Sequence, residues 1–472
     1  MLNYLILLLL ALIIIPLVNK NPDFSFWLFI TLLFDPTGHI AGLLSRSNLG
    51  GFNYIDIFIF LSFLPLLSNK VNTRAVFSDK LLGSFLKFFF FFMIYRIIVH
   101  GMIVPEQSLN YVLRYQIVRE RIPLFGFLLI IPVYVMAKRN LNYFYYFIIF
   151  ATIIPLSLYF MTLFSGLDLI PVGTMDRYRG QGGSGVIRTF MLSSGLSLFI
   201  VPIAVCVYLL KLNAKYKKII YIGFVLTVMS IILTLTKGMF LYLLGVILIT
   251  LWILNKWFFH ANIIKPLSRL VFPIVILWLL LMLTFPKYIS YSQRLTNDIY
   301  SLIFKGGELE EGRVEGRIQN QLPAHLYTIK KYPLFGTGLG RLYEQTEFAV
   351  EDYDVTDLPI TGHIAQFGII GISIYMIFYY LIFILIKRVY FKFKANKYNI
   401  LKNSLNLFLV SIVAISFLVN KFTFVIDKLF SELTLGKNIF PMMIMIGILL
   451  SVLSKLNVNN SQSVGKSKYD NN

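Results

Sequence analysis

The sequence predicts an all-α polytopic membrane protein, with about 12–13 transmembrane helices and one large helical extracytoplasmic loop. Three observations predict it. Of the 472 residues, 57% are hydrophobic and 14% charged, where soluble domains carry about 25% charged residues. The apolar residues come in long blocks, with a mean hydropathy of +0.75, and a bilayer-spanning helix needs about 20 of them. The Lys and Arg residues gather in short loops between the blocks, as the positive-inside rule requires.

The candidate spans are roughly 2–18, 24–36, 52–68, 81–100, 123–137, 141–164, 189–210, 219–236, 239–258, 270–286, 360–386, 404–420 and 438–454. The first has no basic residues before it and no small-residue cleavage pattern, so it reads as a retained span. Orientation follows from the loops. Lys138-Arg139, Lys211 to Lys218, Lys265 to Arg269 and Lys387 to Lys402 fall on one side if the spans alternate, as do Lys455, Lys466 and Lys468. That side is expected to be cytoplasmic.

The opposite side carries the long loop 287–359, which holds half of the chain's 22 acidic residues. Connectors of that length are functional or disordered. Its apolar residues and the helix-like run Gln319–Lys331 predict a folded extracytoplasmic cap. The expected organisation is a transmembrane bundle over 1–286 (about ten spans), the cap over 287–359, further spans over 360–454, and a disordered cytoplasmic tail over 455–472.

Several classes of function are disfavoured. The net charge of +21 lies in loops between spans rather than on one face of a soluble domain, which points away from nucleic acid. One cysteine, Cys206, cannot form an intrachain disulfide, and five scattered His residues give no structural metal motif. No metal or cofactor is expected. No inverted repeat of the kind common in transporters is visible.

Five segments carry candidate chemistry. Gly312-Arg313-Val314-Glu315-Gly316-Arg317 precedes a helix-like run and the turn Tyr332-Pro333-Leu334-Phe335-Gly336-Thr337-Gly338-Leu339-Gly340-Arg341. Pro333 stops the helix, and the glycines allow backbone N–H groups to approach a ligand closely. The same pattern also suits a plain helix, stop and turn, with Arg317 and Arg341 in surface ion pairs. Asp357 and His363 lie where the chain re-enters the membrane, and each can accept a proton; a helix N-terminus with an interfacial His reads equally well.

Lys237 sits in a short break between two spans on the side where basic residues are scarce, placed either to snorkel or to face an anion. Asp176 to Arg188 is a Gly-rich loop whose Arg177, Arg179 and Arg188 suit phosphate recognition or solvent alike. Arg96 and His100 share a helical face near the outer end of a span. An Arg within a span should face a polar cavity. These outer-face cations converge with the cluster Arg114, Arg119 and Arg121 on a need to bind an anionic, lipid-linked substrate.

The second half resembles the O-antigen ligase and polymerase family of bacterial surface-polysaccharide assembly. Leu233-Thr234-Leu235-Thr236-Lys237-Gly238 is similar to its "T-x-S-R-G" break, with Lys for Arg. Gly316-Arg317 through Pro333-Leu334-Phe335-Gly336-Thr337-Gly338-Leu339-Gly340 resembles its "GR … PLFGxGxG" block, and Phe367-Gly368-Ile369-Ile370-Gly371 its "xGIIG" re-entry. Asp357-Leu358 stands where family ligases carry His-Asn, which favours the polymerase branch. The resemblance covers about residues 220–390.

The resemblance implies a membrane-embedded glycosyltransferase of the bacterial cytoplasmic (inner) membrane, active on its extracytoplasmic face. Its donor would be an undecaprenyl-diphosphate-linked oligosaccharide, with a chain-length regulator as a further partner. A ligase would instead transfer the glycan to a lipid A core. Arg317, Arg341, Arg188, Arg179, Lys237 and Arg96 are the candidate diphosphate ligands. Arg317 is also placed among the catalytic residues, with His363 as first-choice base and Asp357 as second. A transporter of lipid-linked sugars is the main rival outside the class, but it would hold its cations deep in a central cavity.

Overall fold

In a computed structural model, the structure describes residues 14–34, 54–72, 79–104, 108, 124–165, 169, 175–178, 186–189, 198–234, 237–259, 275–276, 313–338, 359–423 and 439–469. Among the described residues the architecture is all-α apart from one short hairpin. In chain order the helices begin with α1 (Pro22–Phe34), α2 (Tyr54–Phe63) and α3 (Lys80–Ile94), which continues as a π-helical stretch over Tyr95–Ile103. α4 (Ile130–Arg139), α5 (Asn142–Ser165), α6 (Ile200–Leu209), α7 (Lys217–Thr234) and α8 (Lys237–Leu254) follow, the last extended by a π-turn over Asn255–Phe259. Then come α9 (Arg313–Lys331), α10 (Pro359–Asn403), α11 (Leu405–Thr423) and α12 (Ile439–Tyr469).

Among the described residues, five helices are long and apolar enough to cross a membrane: Lys80–Ile103, Asn142–Ser165, Ile360–Asn403, Leu405–Phe422 and Ile439–Asn457. Shorter apolar helices occupy Pro22–Phe34, Ile55–Leu67, Ile200–Leu209 and Tyr242–Phe258. All nine overlap predicted blocks, and Ile360–Asn403 runs well past the block that ends at 386. The protein is a polytopic membrane protein. Candidate span 270–286 lies almost wholly outside the described residues.

Two expectations change. The loop 176–188 is flanked by strands β1 (Met175–Tyr178) and β2 (Val186–Thr189), paired antiparallel with Asp176 opposite Arg188. Val186, Ile187 and Thr189 are β-branched and favour extended backbone. Thr189, taken as the first residue of a span, therefore lies in a hairpin, and α6 begins at Ile200. The basic stretch Lys387–Lys402, expected as a loop, continues α10 as a helix to Asn403, and at the C-terminus α12 runs to Tyr469. Its packed apolar half supplies the nucleus, and adding residues to an existing helix is far easier than starting one.

Aromatic side chains build much of the core. Phe85, Phe88 and Phe127 surround Phe378, while Phe92 packs against Phe127 and against Tyr375. Trp257 stacks on Phe393 with ring centroids 5.7 Å apart. Edge-to-face and offset pairs of this kind add about 0.5–1.5 kcal/mol beyond area burial in soluble proteins.

The basic loops gather at one end of the bundle. Arg139 forms a bidentate pair with Asp23, at 2.9 and 3.0 Å, joining α4 to α1. The Lys70 ammonium donates to the Lys20 carbonyl. Asn406 reaches Asn142, and Lys397 reaches the Trp257 carbonyl. Asp79 belongs to this end, because it accepts from the Tyr134 hydroxyl one turn before Lys138. Arg96 stands 17 residues further along α3, so it lies about 25 Å away along the helix axis.

Asp79 is also the N-cap of α3, accepting from the amides of Leu81 and Leu82. Replacing Asp79 by Ala should destabilise the protein by about 1 kcal/mol, read as a lower thermal-unfolding midpoint in detergent. Asp79→Ser should recover most of the loss, because Ser caps as well as Asp does.

Candidate functional site

The site is built on an interrupted helix. α10 should be continuous through Gly368 by composition, yet Gly368 has φ 64° and ψ −177°. A regular helix would bond Ile369 N–H to the Ala365 carbonyl and Ile370 N–H to the Gln366 carbonyl. Neither bond forms. The turn after α9 takes up all four groups. Ile369 and Ile370 donate to the carbonyls of Pro333 and Leu334, at 2.9 and 3.1 Å. The Ala365 and Gln366 carbonyls accept from the amides of Thr337 and Gly338, at 3.1 and 2.9 Å.

Two glycines make this possible. A Cβ on Gly368 would sit 2.3 Å from the Leu334 carbonyl oxygen, and one on Gly336 would sit 2.4 Å from backbone atoms of Gln366. Both have positive φ, which side-chain-bearing residues adopt at a cost. Pro333 accepts but has no N–H to leave unpaired. The two sequence motifs, 333–338 and 367–371, are thus one structural joint.

Buried polar side chains surround the joint, and the Phe367 ring is their hub. The His363 ring lies 5.9 Å from it, the His100 ring 5.0 Å and the Tyr375 ring 5.4 Å, between centroids. The Arg96 guanidinium carbon is 6.0 Å from the Phe367 centroid, and its Nη1 donates to the Tyr375 hydroxyl at 3.4 Å. Arg96, His100 and His363 are each no more than 3% exposed. The π-helical winding over Tyr95–Ile103 carries both Arg96 and His100 inward toward α10. Such π-turns are frequent at functional sites. Gly371 leaves room for His100, whose Cε1 a Cβ there would approach to 3.0 Å. The backbone of Phe335 and Phe367 also lies against the His100 ring.

A third buried histidine comes from α9. His325, on α9, is fully buried, and its Nδ1 lies 2.9 Å from the Thr361 hydroxyl of α10. Burial pushes its pKa down to about 4, so it is neutral at pH 7. Ala324 and Thr328 are buried beside it and line the face that meets α10. The sequence reading did not single out His325. A lone His on an amphipathic helix carries no local mark that separates a site residue from a core residue.

Of the predicted site residues, the structure brings His363 and Arg96 together with His100. Arg317 lies on α9, two turns before His325; Lys237 is the first residue of α8; Arg188 lies on β2. Arg179, Arg341 and Asp357 lie outside the described residues.

Two comparisons bear on this arrangement. The family described as O-antigen ligase matches residues 222–376, a segment that starts within α7 and ends just past Gly371. No curated protein matches the sequence. The matched segment contains Lys237, Arg317, His325, the 333–338 turn, His363 and the α10 break; Arg96 and His100 come to it from outside.

Gly368→Ala should separate the turn from α10, since both the contact and the φ oppose it, at a cost of at least about 1–3 kcal/mol. Hydrogen exchange at the amides of Thr337, Gly338, Ile369 and Ile370 should accelerate together. The His325 pKa gives a second expectation. A base with a depressed native pKa contributes full stability above its unfolded pKa of about 6.5 and loses it as pH falls toward about 4. α9 should therefore loosen from α10 over that window, and His325→Gln should flatten the acid limb of its exchange profile.

Proposed function

We propose that this chain, whose residues 222–376 match the O-antigen ligase family, is a membrane-embedded glycosyltransferase. It transfers a glycan from a polyprenyl diphosphate to the hydroxyl of another lipid-linked repeat unit on the outer face of a bacterial cytoplasmic membrane. The observation that supports this reading is the joint itself. The two motifs shared with the family dock through four backbone hydrogen bonds, beside buried Arg96, His100 and His363.

The residues suit the chemistry. The anomeric carbon–oxygen bond to the diphosphate breaks as a bond to the acceptor oxygen forms. The diphosphate departs as a stable anion and needs cations rather than a general acid. Arg317, Arg341, Arg188, Arg179, Lys237 and Arg96 are the proposed cations, and Arg317 is the first choice. The acceptor's proton passes to a base within hydrogen-bond reach, His363 first and Asp357 second. The cap, through α9 and its turn, holds donor and acceptor in register.

Polymerisation is favoured over ligation because Asp357-Leu358 stands where family ligases carry His-Asn. Purified protein given a lipid-diphosphate-linked oligosaccharide alone should yield a ladder of longer glycans. Arg317→Ala and His363→Ala should each slow it by about 100-fold or more. Transfer that appears only with a lipid A core would make the protein a ligase. No transfer under either condition, with uptake of the lipid-linked glycan into vesicles, would make it a transporter.

A further inference from the structure

The second half of α10 carries an ordered feature far from the joint. The helix runs on from Gly368 for about 28 Å before Lys387, close to the ~30 Å of a bilayer's hydrocarbon core. Within that stretch its exposed face is apolar: Met376, Tyr380 and Phe383 are each more than half exposed. Past Lys387 the same face continues without rotation. Lys387, Phe391, Lys394, Tyr398 and Lys402 are all exposed, and with the three above they fall within about 100° of helical arc. The opposite face, with Val389, Phe393 and Ile400, is buried against the bundle, where Phe393 stacks on Trp257.

The face that meets acyl chains inside the span therefore becomes alternately cationic and aromatic where the span ends. Exposed Phe and Tyr beside Lys suit the headgroup layer, in which aromatic rings and ammonium groups are both stable. A stripe facing water would gain nothing from Phe391, which is 56% exposed; Lys394 stands about 10 Å past Lys387, near enough for its side chain to reach back to the headgroups, whereas Tyr398 and Lys402 stand about 16 and 22 Å past it. No acidic residue interrupts the helix between Lys387 and Asn403. We infer that the Lys387–Lys394 part of α10 is a binding surface for anionic phospholipid headgroups, in the leaflet where α10 leaves the bilayer. Lys387 and Lys394 contact the phosphates, and Phe391 sits between the headgroups. This surface is independent of the transferase reading.

Full-length protein in detergent can be titrated with phosphatidylglycerol and, separately, with phosphatidylcholine, and the bound lipid counted by native mass spectrometry. Wild-type protein should retain phosphatidylglycerol preferentially, and retention should fall as ammonium acetate rises, because surface charge is screened. K387Q/K394Q should weaken phosphatidylglycerol binding by at least about tenfold and leave phosphatidylcholine unchanged. K387R/K394R should bind as the wild type does. Equal phosphatidylglycerol binding by wild type and the Gln variant would overturn the inference, as would loss of both lipids together. Salt-independent retention by the wild type would overturn it without any variant. A shift in oligomeric mass with unchanged lipid binding would make the stripe a subunit interface instead.

Discussion

At Gly368 the carbonyls of Ala365 and Gln366 lose their helical donors, and a turn about 30 residues upstream supplies replacements. A helix broken inside a membrane protein leaves polar backbone groups that lipid cannot satisfy. Here the turn satisfies both carbonyls and both amides, so the break is tolerated and α9 with its turn is fixed to α10 by the same four bonds. Gly336 and Gly368 are required because the backbones approach too closely for any Cβ. What surrounds the joint follows from it. His325 meets Thr361 because α9 is pinned alongside α10, and Phe367 is presented to Arg96 and His100 just before the chain turns.

Arg96 shows what the bundle accepts in return for a site. A guanidinium within a span is costly and is kept where it faces polar groups. Arg96 has the Tyr375 hydroxyl and the face of Phe367, both from α10, whose register is set by the joint. The histidines are similarly placed. His100 comes from the π-helical stretch after α3 and packs on Phe367 beside the break, His363 comes from α10 one turn before it, and His325 comes from α9 and meets α10 at Thr361.

The bundle is polarised along its length. One end carries Arg139 on Asp23 and lysines near Lys20, Lys70 and Lys397. The other carries the joint and its buried basic side chains. The lipid-facing stripe of α10 connects the two, apolar along the span and basic beyond it. A single helix thus contributes to the proposed transfer site at one end and to the proposed headgroup surface at the other.

Composition and block length by themselves determined that the protein is a helical, multi-span membrane protein, because the bilayer imposes one length and one hydropathy on every spanning helix. The order of the motifs also marked the 333–340 and 367–371 segments, and the glycines after Pro333 were legible as conformationally permissive, whereas the break at Gly368 was not. The hairpin at 175–189 was not, because a few β-branched residues beside a long apolar block do not override the periodicity of that block. His325 was passed over for a related reason: an isolated His on an amphipathic helix has no local mark that distinguishes core from site. Only the tertiary structure decided that the 333–338 turn and the 367–371 break are one unit. The physical reason is that the sequence records which residues permit a close backbone approach, whereas the partner that makes it is chosen by packing across the fold.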